Sequence, residues 1–155
     1  MTYPLAFSTW GKEEVEAIKR VIDTDMYTMG KHVKQFEQEF ATMFGSPHAV
    51  MVNSGSSANL LMLSLLKWKY KLTGDIIVPV VGWATTYFPI TQNGFKINFV
   101  DVDPDTWNID VDKIEAAITP NTCAIMAVNL LGNSCDYNKI VEICEKHNLK
   151  LIEDN

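Results

Sequence analysis

The sequence lacks the features that several classes of protein require. Its 155 residues include 13 Lys and Arg against 19 Asp and Glu, and no basic cluster offsets the net charge of -6. This argues against nucleic acid and anionic lipid as partners. The longest apolar stretch, residues 60–66, is interrupted by Ser64 and is too short to span a bilayer. No basic-then-apolar signal opens the sequence, so we expect a cytoplasmic protein without a membrane partner.

Cysteine and histidine are scarce as well. Cys123, Cys135 and Cys144 are odd in number, form no Cys-x-x-Cys pair, and two of them lie in apolar-patterned segments. A disulfide framework or a zinc site needs paired, regularly spaced thiols, so this pattern predicts buried, reduced cysteines. The three histidines show no ligand spacing. We therefore predict no metal site.

The apolar residues that are present alternate between two periodicities. Hydrophobic residues make up 47% of the chain, which is typical of a globular protein with a core. Helical spacing marks residues 12–22 and 33–44, and short apolar runs then alternate with further helical segments. The predicted strands are 49–52, 76–79, 97–102, 123–128 and 149–152, and the predicted helices between them are 57–70, 84–92, 111–118 and 137–147. The pattern predicts an α/β fold with a mostly parallel sheet, divided into a helical segment, 1–45, and an α/β domain, 46–155.

A hydroxyl-rich turn, Asn53–Asn59, precedes the most apolar predicted helix. It reads Asn-Ser-Gly-Ser-Ser-Ala-Asn. The free backbone N–H groups and the positive dipole end of a helix start suit a phosphate dianion, and Gly55 lets the backbone come close to it. Ser56 and Ser57 are equally ordinary capping residues. The turn therefore predicts a phosphate site or, as the plainer alternative, only a helix cap.

Ligands of open α/β sheets gather at the carboxyl ends of the strands. Trp83 lies at such an end and suits either stacking on a planar ring or simple packing. The acidic run 101–105 is typical of a turn rather than of a metal cluster. Asp154 follows strand 149–152, where a carboxylate is costly unless a cation such as a protonated ring nitrogen meets it; capping a following helix is the alternative. A phosphate turn and this carboxylate together suggest a phosphorylated cofactor held at two points.

Longer strings of the sequence occur in a characteristic order and spacing. They are Ser8-Thr-Trp10, Met26-Tyr-Thr-Met-Gly30, the Asn53–Asn59 turn, Trp83-Ala-Thr-Thr-Tyr87, Asn129-Leu-Leu-Gly-Asn133 and Ile152-Glu-Asp-Asn155. In these strings the chain resembles the DegT/DnrJ/EryC1/StrS family of sugar-nucleotide aminotransferases and dehydratases, which use pyridoxal 5'-phosphate. The resemblance implies the N-terminal part of the large domain of a fold-type I aminotransferase, so that residues 46–155 would form an incomplete cofactor-binding α/β domain.

The resemblance also implies roles for particular residues. Its cofactor-binding residues would be Gly55, Ser56, Ser57, Trp83, Asn129 and Asp154. The first three would hold the phosphate of pyridoxal phosphate, or of its pyridoxamine form in turnover, and Trp83 would stack on the ring. Asp154 would pair with the ring nitrogen, and Asn129 would lie beside the ring or its 3-oxygen. Tyr27 and Met29 would be substrate-side or partner-subunit residues, although a simple loop between helices explains their segment too.

The variants of these strings resemble the dehydratase branch of the family. That implies removal of the C3 hydroxyl from a nucleotide-linked keto-deoxy sugar, with glutamate as amino donor, in surface polysaccharide synthesis. Transfer of an amino group onto the sugar is the alternative, and a truncated, non-catalytic α/β domain is a third. The catalytic lysine or histidine of the family has no matching position, so no catalytic residue is assigned within residues 1–155. We expect a fragment of a longer enzyme, with a homodimer as its assembly.

Overall fold

The structure, a computed structural model, describes residues 7–155 and contains two compact units. One unit ends at Met51 and the other runs from Val52 to Asn155. This division concerns packing within each unit, and the domain boundary predicted after residue 45 stays a prediction. None of the described helices combines the length and the apolar character needed to cross a membrane.

The first unit contains two amphipathic helices, α1 (Lys12–Ile22) and α2 (Lys31–Met43). Helix α1 begins after Gly11, whose backbone N–H donates to the Glu14 carboxylate at 2.6 Å and so satisfies a donor at the helix start. Along α2 and its end, the rings of Phe36, Phe40 and Phe44 follow one another with centroid distances of 5.5 and 4.5 Å. The apolar spacing therefore predicted both helices correctly.

The predicted strand 49–52 is wrong, because this segment joins no sheet among the described residues. Its apolar side chains are largely exposed, with Val50 at 69% and Met51 at 47%. The Met51 N–H donates to the Glu37 carboxylate at 2.9 Å instead of to a neighbouring strand. A strand is stable only where another strand accepts its backbone hydrogen bonds, and apolar composition alone does not supply that neighbour.

The second unit is an α/β layer structure. Its strands are β1 (Asp75–Pro79), β2 (Lys96–Val100), β3 (Thr122–Val128) and β4 (Lys150–Asp154), and its helices are α3 (Gly55–Trp68), α4 (Ala84–Gln92), α5 (Val111–Ala117) and α6 (Tyr137–His147). The strands form one sheet in the order β2-β1-β3-β4, and every described pairing within it is parallel. The predicted parallel α/β fold is confirmed.

Hydrophobic side chains cover both faces of the sheet. On one face Val78 and Met126 pack with Leu63 of α3 and Ile90 of α4. On the other face alternate strand residues pack against α5 and α6; these are Ile77, Val100, Ile125 and Ala127, with Ile114 and Ile140 from the helices. Because successive side chains of a strand point to opposite faces, strands buried on both sides need continuous apolar runs. Burial on both faces is thus the physical reason for the strand pattern of the sequence.

The packing of the sheet and helices determines how far each of the three thiols is buried. Cys135 and Cys144 are buried, as predicted, and Cys123 is partly buried. Burial raises the pKa of Cys123 and of Cys144 to about 11, because the charged thiolate is poorly solvated there. These thiols are therefore protonated at neutral pH.

Parallel pairing also determines where a site forms. All four strands point the same way, so their carboxyl ends meet at one edge of the sheet. Two aspartates lie at or just beyond these carboxyl ends: Asp103, which follows β2, and Asp154, which ends β4. Ligands of open α/β sheets bind at this edge.

Candidate functional site

The start of α3 presents backbone donors to open space. Ser54 caps the helix by accepting the Ser57 N–H at 3.2 Å, and the Ser57 hydroxyl donates to the Asn53 side chain at 2.6 Å. Among the described residues, no protein acceptor meets the N–H groups of Gly55 and Ser56. A Cβ added at Gly55 would meet nothing within 4 Å. An anion can therefore approach these two donors, and the helix dipole favours it.

Asp154 is held by two side chains from distant parts of the chain. Its Oδ2 accepts the Asn59 Nδ2–H at 2.9 Å and the Thr86 hydroxyl at 2.6 Å. Asn59 lies in α3 and Thr86 in α4, and both are almost completely buried, at 3% and 2% exposure. Asp154 itself is partly buried. The carboxylate therefore joins β4 to two helices.

The second carboxylate oxygen of Asp154 is left available. No donor of the described residues lies within hydrogen-bonding distance of Oδ1, whereas Oδ2 has two. A carboxylate has acceptor sites on both oxygens, and a buried or partly buried one is stabilised most by a cation or a charged donor. This arrangement suits one cationic N–H group at Oδ1.

Trp83 is positioned by the same turn that carries Thr86. It is the N-cap residue of α4, and its carbonyl accepts the Thr86 N–H at 2.9 Å. Its indole is 76% exposed. Exposed aromatic surface beside a buried polar contact is available for stacking on a planar ring. The structure thus connects Trp83 to Asp154 through Thr86.

The side chain of Asn129 is occupied by protein partners. Its oxygen accepts the Cys135 N–H at 2.9 Å and the Tyr137 hydroxyl at 3.0 Å, and its nitrogen donates to Glu153 at 2.7 Å and also to the Asn155 side chain. Its backbone N–H donates to the Asp154 carbonyl at 3.0 Å. Asn129 therefore supports the chain on both sides of Asp154, and its predicted contact with a cofactor stays a prediction.

Two further predictions concern the acidic run 101–105 and the segment of Tyr27 and Met29. Asp103 forms the turn that the acidic run 101–105 predicted, because its Oδ1 accepts the N–H groups of Asp105 and Thr106 at 3.0 and 2.8 Å. Tyr27 and Met29 belong to the first unit, where both side chains are exposed. Their role toward a substrate stays a prediction.

Reasoning from sequence missed Asn59 and Thr86, which hold the central carboxylate. A signal for Asn59 was present, because it is a polar residue in the most apolar helix, and buried polar groups are hydrogen-bonded. Its partner could not be identified, since Asp154 lies 95 positions further along the chain. Thr86 carried no comparable signal, because threonine is common in ordinary helices.

This chain is similar to known proteins of one family. Residues 8–155 match the model of the DegT/DnrJ/EryC1/StrS aminotransferase family. The whole chain is 52% identical to the GDP-4-keto-6-deoxy-D-mannose 3-dehydratase of Yersinia pseudotuberculosis, of which it spans 40%. It is also 38% identical, over 92% of its length, to the dTDP-3-amino-3,6-dideoxy-alpha-D-galactopyranose transaminase of Aneurinibacillus thermoaerophilus, of which it spans 39%. The chain thus spans about two-fifths of the length of these relatives.

A solved structure gives the same result for the fold. The Escherichia coli GDP-4-keto-6-deoxy-D-mannose 3-dehydratase with bound hydrated pyridoxal phosphate superposes on 99% of this chain with a TM-score of 0.93 and 48% identity, and the chain spans 41% of it. This confirms the predicted N-terminal part of a fold-type I large domain. The chain belongs to the DegT/DnrJ/EryC1/StrS aminotransferase family.

Proposed function

We propose that this chain forms the cofactor-binding part of a pyridoxal-phosphate-dependent enzyme that acts on a nucleotide-linked keto-deoxy sugar. The observation that carries the proposal is the Asp154 carboxylate, which is held on one oxygen and open on the other, at the carboxyl edge of the sheet. Solved relatives contain pyridoxal phosphate or its pyridoxamine form. The complete activity depends on more than the two-fifths of those relatives that this chain spans.

The residues present fit the chemical groups of this cofactor. The free N–H groups of Gly55 and Ser56 at the start of α3, with the Ser56 hydroxyl, suit its phosphate. The Ser57 hydroxyl donates to Asn53 and would have to leave that bond to donate to the phosphate. The exposed indole of Trp83 suits its planar ring, and Oδ1 of Asp154 suits its ring nitrogen. When bound, pyridoxal phosphate supplies an electron sink for carbanion chemistry.

Each of these residues has a defined task. A carboxylate at Asp154 favours a proton on the ring nitrogen, because opposite charges stabilise each other in a partly buried site. The α3 start would hold the phosphate end, which together with Asp154 would give the cofactor two points of attachment. Trp83 would cover part of the ring and exclude water from it. Binding and proton placement would therefore be the contribution of these residues, and no catalytic base is assigned among residues 1–155.

The proposed reaction is removal of the C3 hydroxyl from a keto-deoxy sugar attached to GDP, as in colitose-type 3-deoxysugar formation. The identity of 52% to a GDP-4-keto-6-deoxy-D-mannose 3-dehydratase supports this choice over amino transfer. Amino transfer onto the sugar is the second candidate, supported by 38% identity to a transaminase. Glutamate as amino donor, a homodimeric assembly and a cytoplasmic location complete the proposal, with surface polysaccharide synthesis as the setting.

Titration of the purified chain with pyridoxal phosphate, followed by absorbance and fluorescence, tests the cofactor assignment. We expect saturable binding that Asp154→Asn weakens by about tenfold, because it removes a charge-assisted contact, and that Ser56→Ala weakens less. Ser64→Ala is the matched control, since Ser64 also bonds α3 to the end of α4, at Asn93, without touching Asp154. Absence of saturable binding by folded chain, or equal binding by Asp154→Asn, would contradict the proposal.

The choice between the two reactions needs the complete enzyme. Incubation with the GDP-linked keto-deoxy sugar, pyridoxal phosphate and glutamate gives products that mass spectrometry distinguishes. Dehydration yields a sugar that has lost its 3-oxygen, whereas amino transfer yields an amino sugar. An amino sugar as the sole product would replace the first candidate with the second.

A further inference from the structure

We propose that Asn59 and Thr86 are positioning residues that orient the Asp154 carboxylate toward the ring nitrogen of the cofactor. The inference rests on the proposed function and adds two residues to it. Neither residue is among the groups that would contact the cofactor in the proposal above. Both would act through Asp154 alone.

The first support is the asymmetry of the carboxylate. Both donors end on Oδ2, at 2.9 Å from Asn59 and 2.6 Å from Thr86, and none of the described residues donates to Oδ1. Two donors at one oxygen position fix the plane of the carboxylate, because any partial rotation of the group would weaken both hydrogen bonds. One oxygen is thereby assigned to the protein and the other to a ligand.

The second support is the rigidity of the donors. Asn59 and Thr86 are 3% and 2% exposed. Leu63, one turn further along α3, and Ile90, one turn further along α4, are fully buried in a single hydrophobic cluster that also contains Ile152 of β4. The donors and the acceptor thus stand on three elements that share one core. A catalytic group is held precisely when its supporting residues are themselves locked by packing.

The third support is the origin of the two donors. Asn59 lies in the first half of α3, whose start would hold the phosphate, and Thr86 lies in the first turn of α4, beside Trp83. The carboxylate is therefore bonded to the two elements that would contact the other ends of the cofactor. Phosphate, ring face and ring nitrogen would be placed by one connected set of bonds. Preorganisation of this kind lowers the ordering cost of binding.

A competing explanation is that these bonds only join helices to the sheet. Comparing two ligands separates the alternatives: pyridoxal phosphate, and its 1-deaza analogue, in which a C–H group replaces the ring nitrogen. A structural defect weakens both ligands alike. A misdirected carboxylate weakens only the ligand that has the nitrogen.

The experiment measures both dissociation constants by absorbance titration of the full chain and its folded variants. For the unmodified chain we expect pyridoxal phosphate to bind about tenfold more tightly than the analogue, and Asp154→Asn to abolish this preference. Thr86→Val should reduce this preference at least threefold, and Asn59→Leu, an independent second variant, should do the same. A threefold change is smaller than the contribution of one charge-assisted hydrogen bond to binding. Thr86→Ser, which keeps the hydroxyl, should restore it, and Ser64→Ala should leave it unchanged.

The outcomes are distinct. A preference that Asp154→Asn abolishes but that survives in both Thr86→Val and Asn59→Leu overturns the inference and leaves the proposed function standing. Equal weakening of both ligands in these variants also overturns it, since the two residues are then structural only. No binding of either ligand by folded chain overturns the proposed function and, with it, the inference.

Discussion

Asp103 and Asp154 both lie where an edge strand of the sheet ends, yet their hydrogen-bond partners have different origins. Asp103 accepts from Asp105 and Thr106, which are two and three positions away and are exposed. Asp154 accepts from residues 68 and 95 positions earlier, and both of these are buried. A turn builds the first set of contacts locally, whereas packing of two helices on the sheet builds the second.

The difference separates a carboxylate held by its own turn from one held by tertiary packing. The Oδ1 of Asp103 is filled by three donors of its own turn, including the Thr106 hydroxyl at 3.1 Å. Asp154 keeps one oxygen without a donor among the described residues, although its other oxygen is firmly held. In both residues only one carboxylate oxygen has donors among the described residues. The two carboxylates differ instead in that the donors of Asp103 are exposed and close in sequence, whereas those of Asp154 are buried and distant.

The largest expected effect comes from the sheet on which both aspartates depend. Ile125 is fully buried in β3 and lies opposite Ile77 of β1 and Leu151 of β4. Ile125→Ala leaves a cavity between strands and helices and should lower the free energy of unfolding by about 3 kcal/mol. Urea unfolding monitored by circular dichroism measures this loss.

The matched control for Ile125→Ala is Leu131→Ala, at a side chain that is completely exposed. It should change the free energy of unfolding by no more than about 0.5 kcal/mol. Similar losses in the two variants would mean that β3 is not the centre of the core.

The next prediction compares the two aspartates by removing the threonine hydroxyl that donates to each of them, and its expected effect on stability is smaller. The Thr86 hydroxyl donates to Asp154, and the Thr106 hydroxyl donates to Asp103. Thr86→Val should lower the free energy of unfolding by about 2 kcal/mol, because it removes a buried hydrogen bond to a charged group. Thr106→Val should cost about 0.5 kcal/mol or less, because water replaces the lost bond at an exposed turn.

Denaturant titration of both threonine variants side by side checks this prediction. Equal losses in the free energy of unfolding would mean that a carboxylate held by tertiary packing contributes no more to stability than one held by its own turn. A larger cost for Thr106→Val would reverse it.

The smallest expected effect is the pH dependence that Asp103 contributes. Hydrogen bonds from Thr106 hold the pKa of this carboxyl below its ordinary value. The unfolded chain therefore takes up its proton first as the pH falls, so the stabilisation is present above about pH 4 and is lost as the pH drops through the lower, folded-state pKa. Asp103→Asn should make the chain less sensitive to acid in this range.

Urea midpoints measured at neutral pH and at about pH 3 test this dependence. Only part of the acid sensitivity should disappear, because Lys146 and His147 also lower the pKa of Glu115. A variant that loses stability with acid just as the unmodified chain does would show that Asp103 makes no contribution.

The sequence was sufficient for features whose cause is local. Helix α2 followed from the spacing of Phe36, Phe40 and their neighbours, and the Asp103 turn followed from an acidic run with a proline. The candidate site residues were selected because glycine, serine and a strand-end aspartate carry recognisable chemistry. The family resemblance, which the comparisons confirm, supplied the roles predicted for them.

Features that depend on a distant neighbour were not predictable. The apolar run 49–52 has strand composition, but the described residues give it no strand to pair with. The side chain of Asn129 has four protein partners, and two of them, Glu153 and Asn155, lie 24 and 26 positions further along the chain. These distant contacts could not be read from the sequence, and the cofactor contact of Asn129 stays a prediction.

Apart from the run 49–52, the sequence by itself determined which segments become helices and strands and which chemical groups lie at their ends, because periodicity and capping act within a few residues. The tertiary structure alone decided that Asn59 and Thr86 meet Asp154 on one oxygen and leave the other open. Such contacts join residues that come together only when α3 and α4 pack on the sheet. Hydrogen bonds act over about 3 Å, and only the folded chain brings such residues within that range.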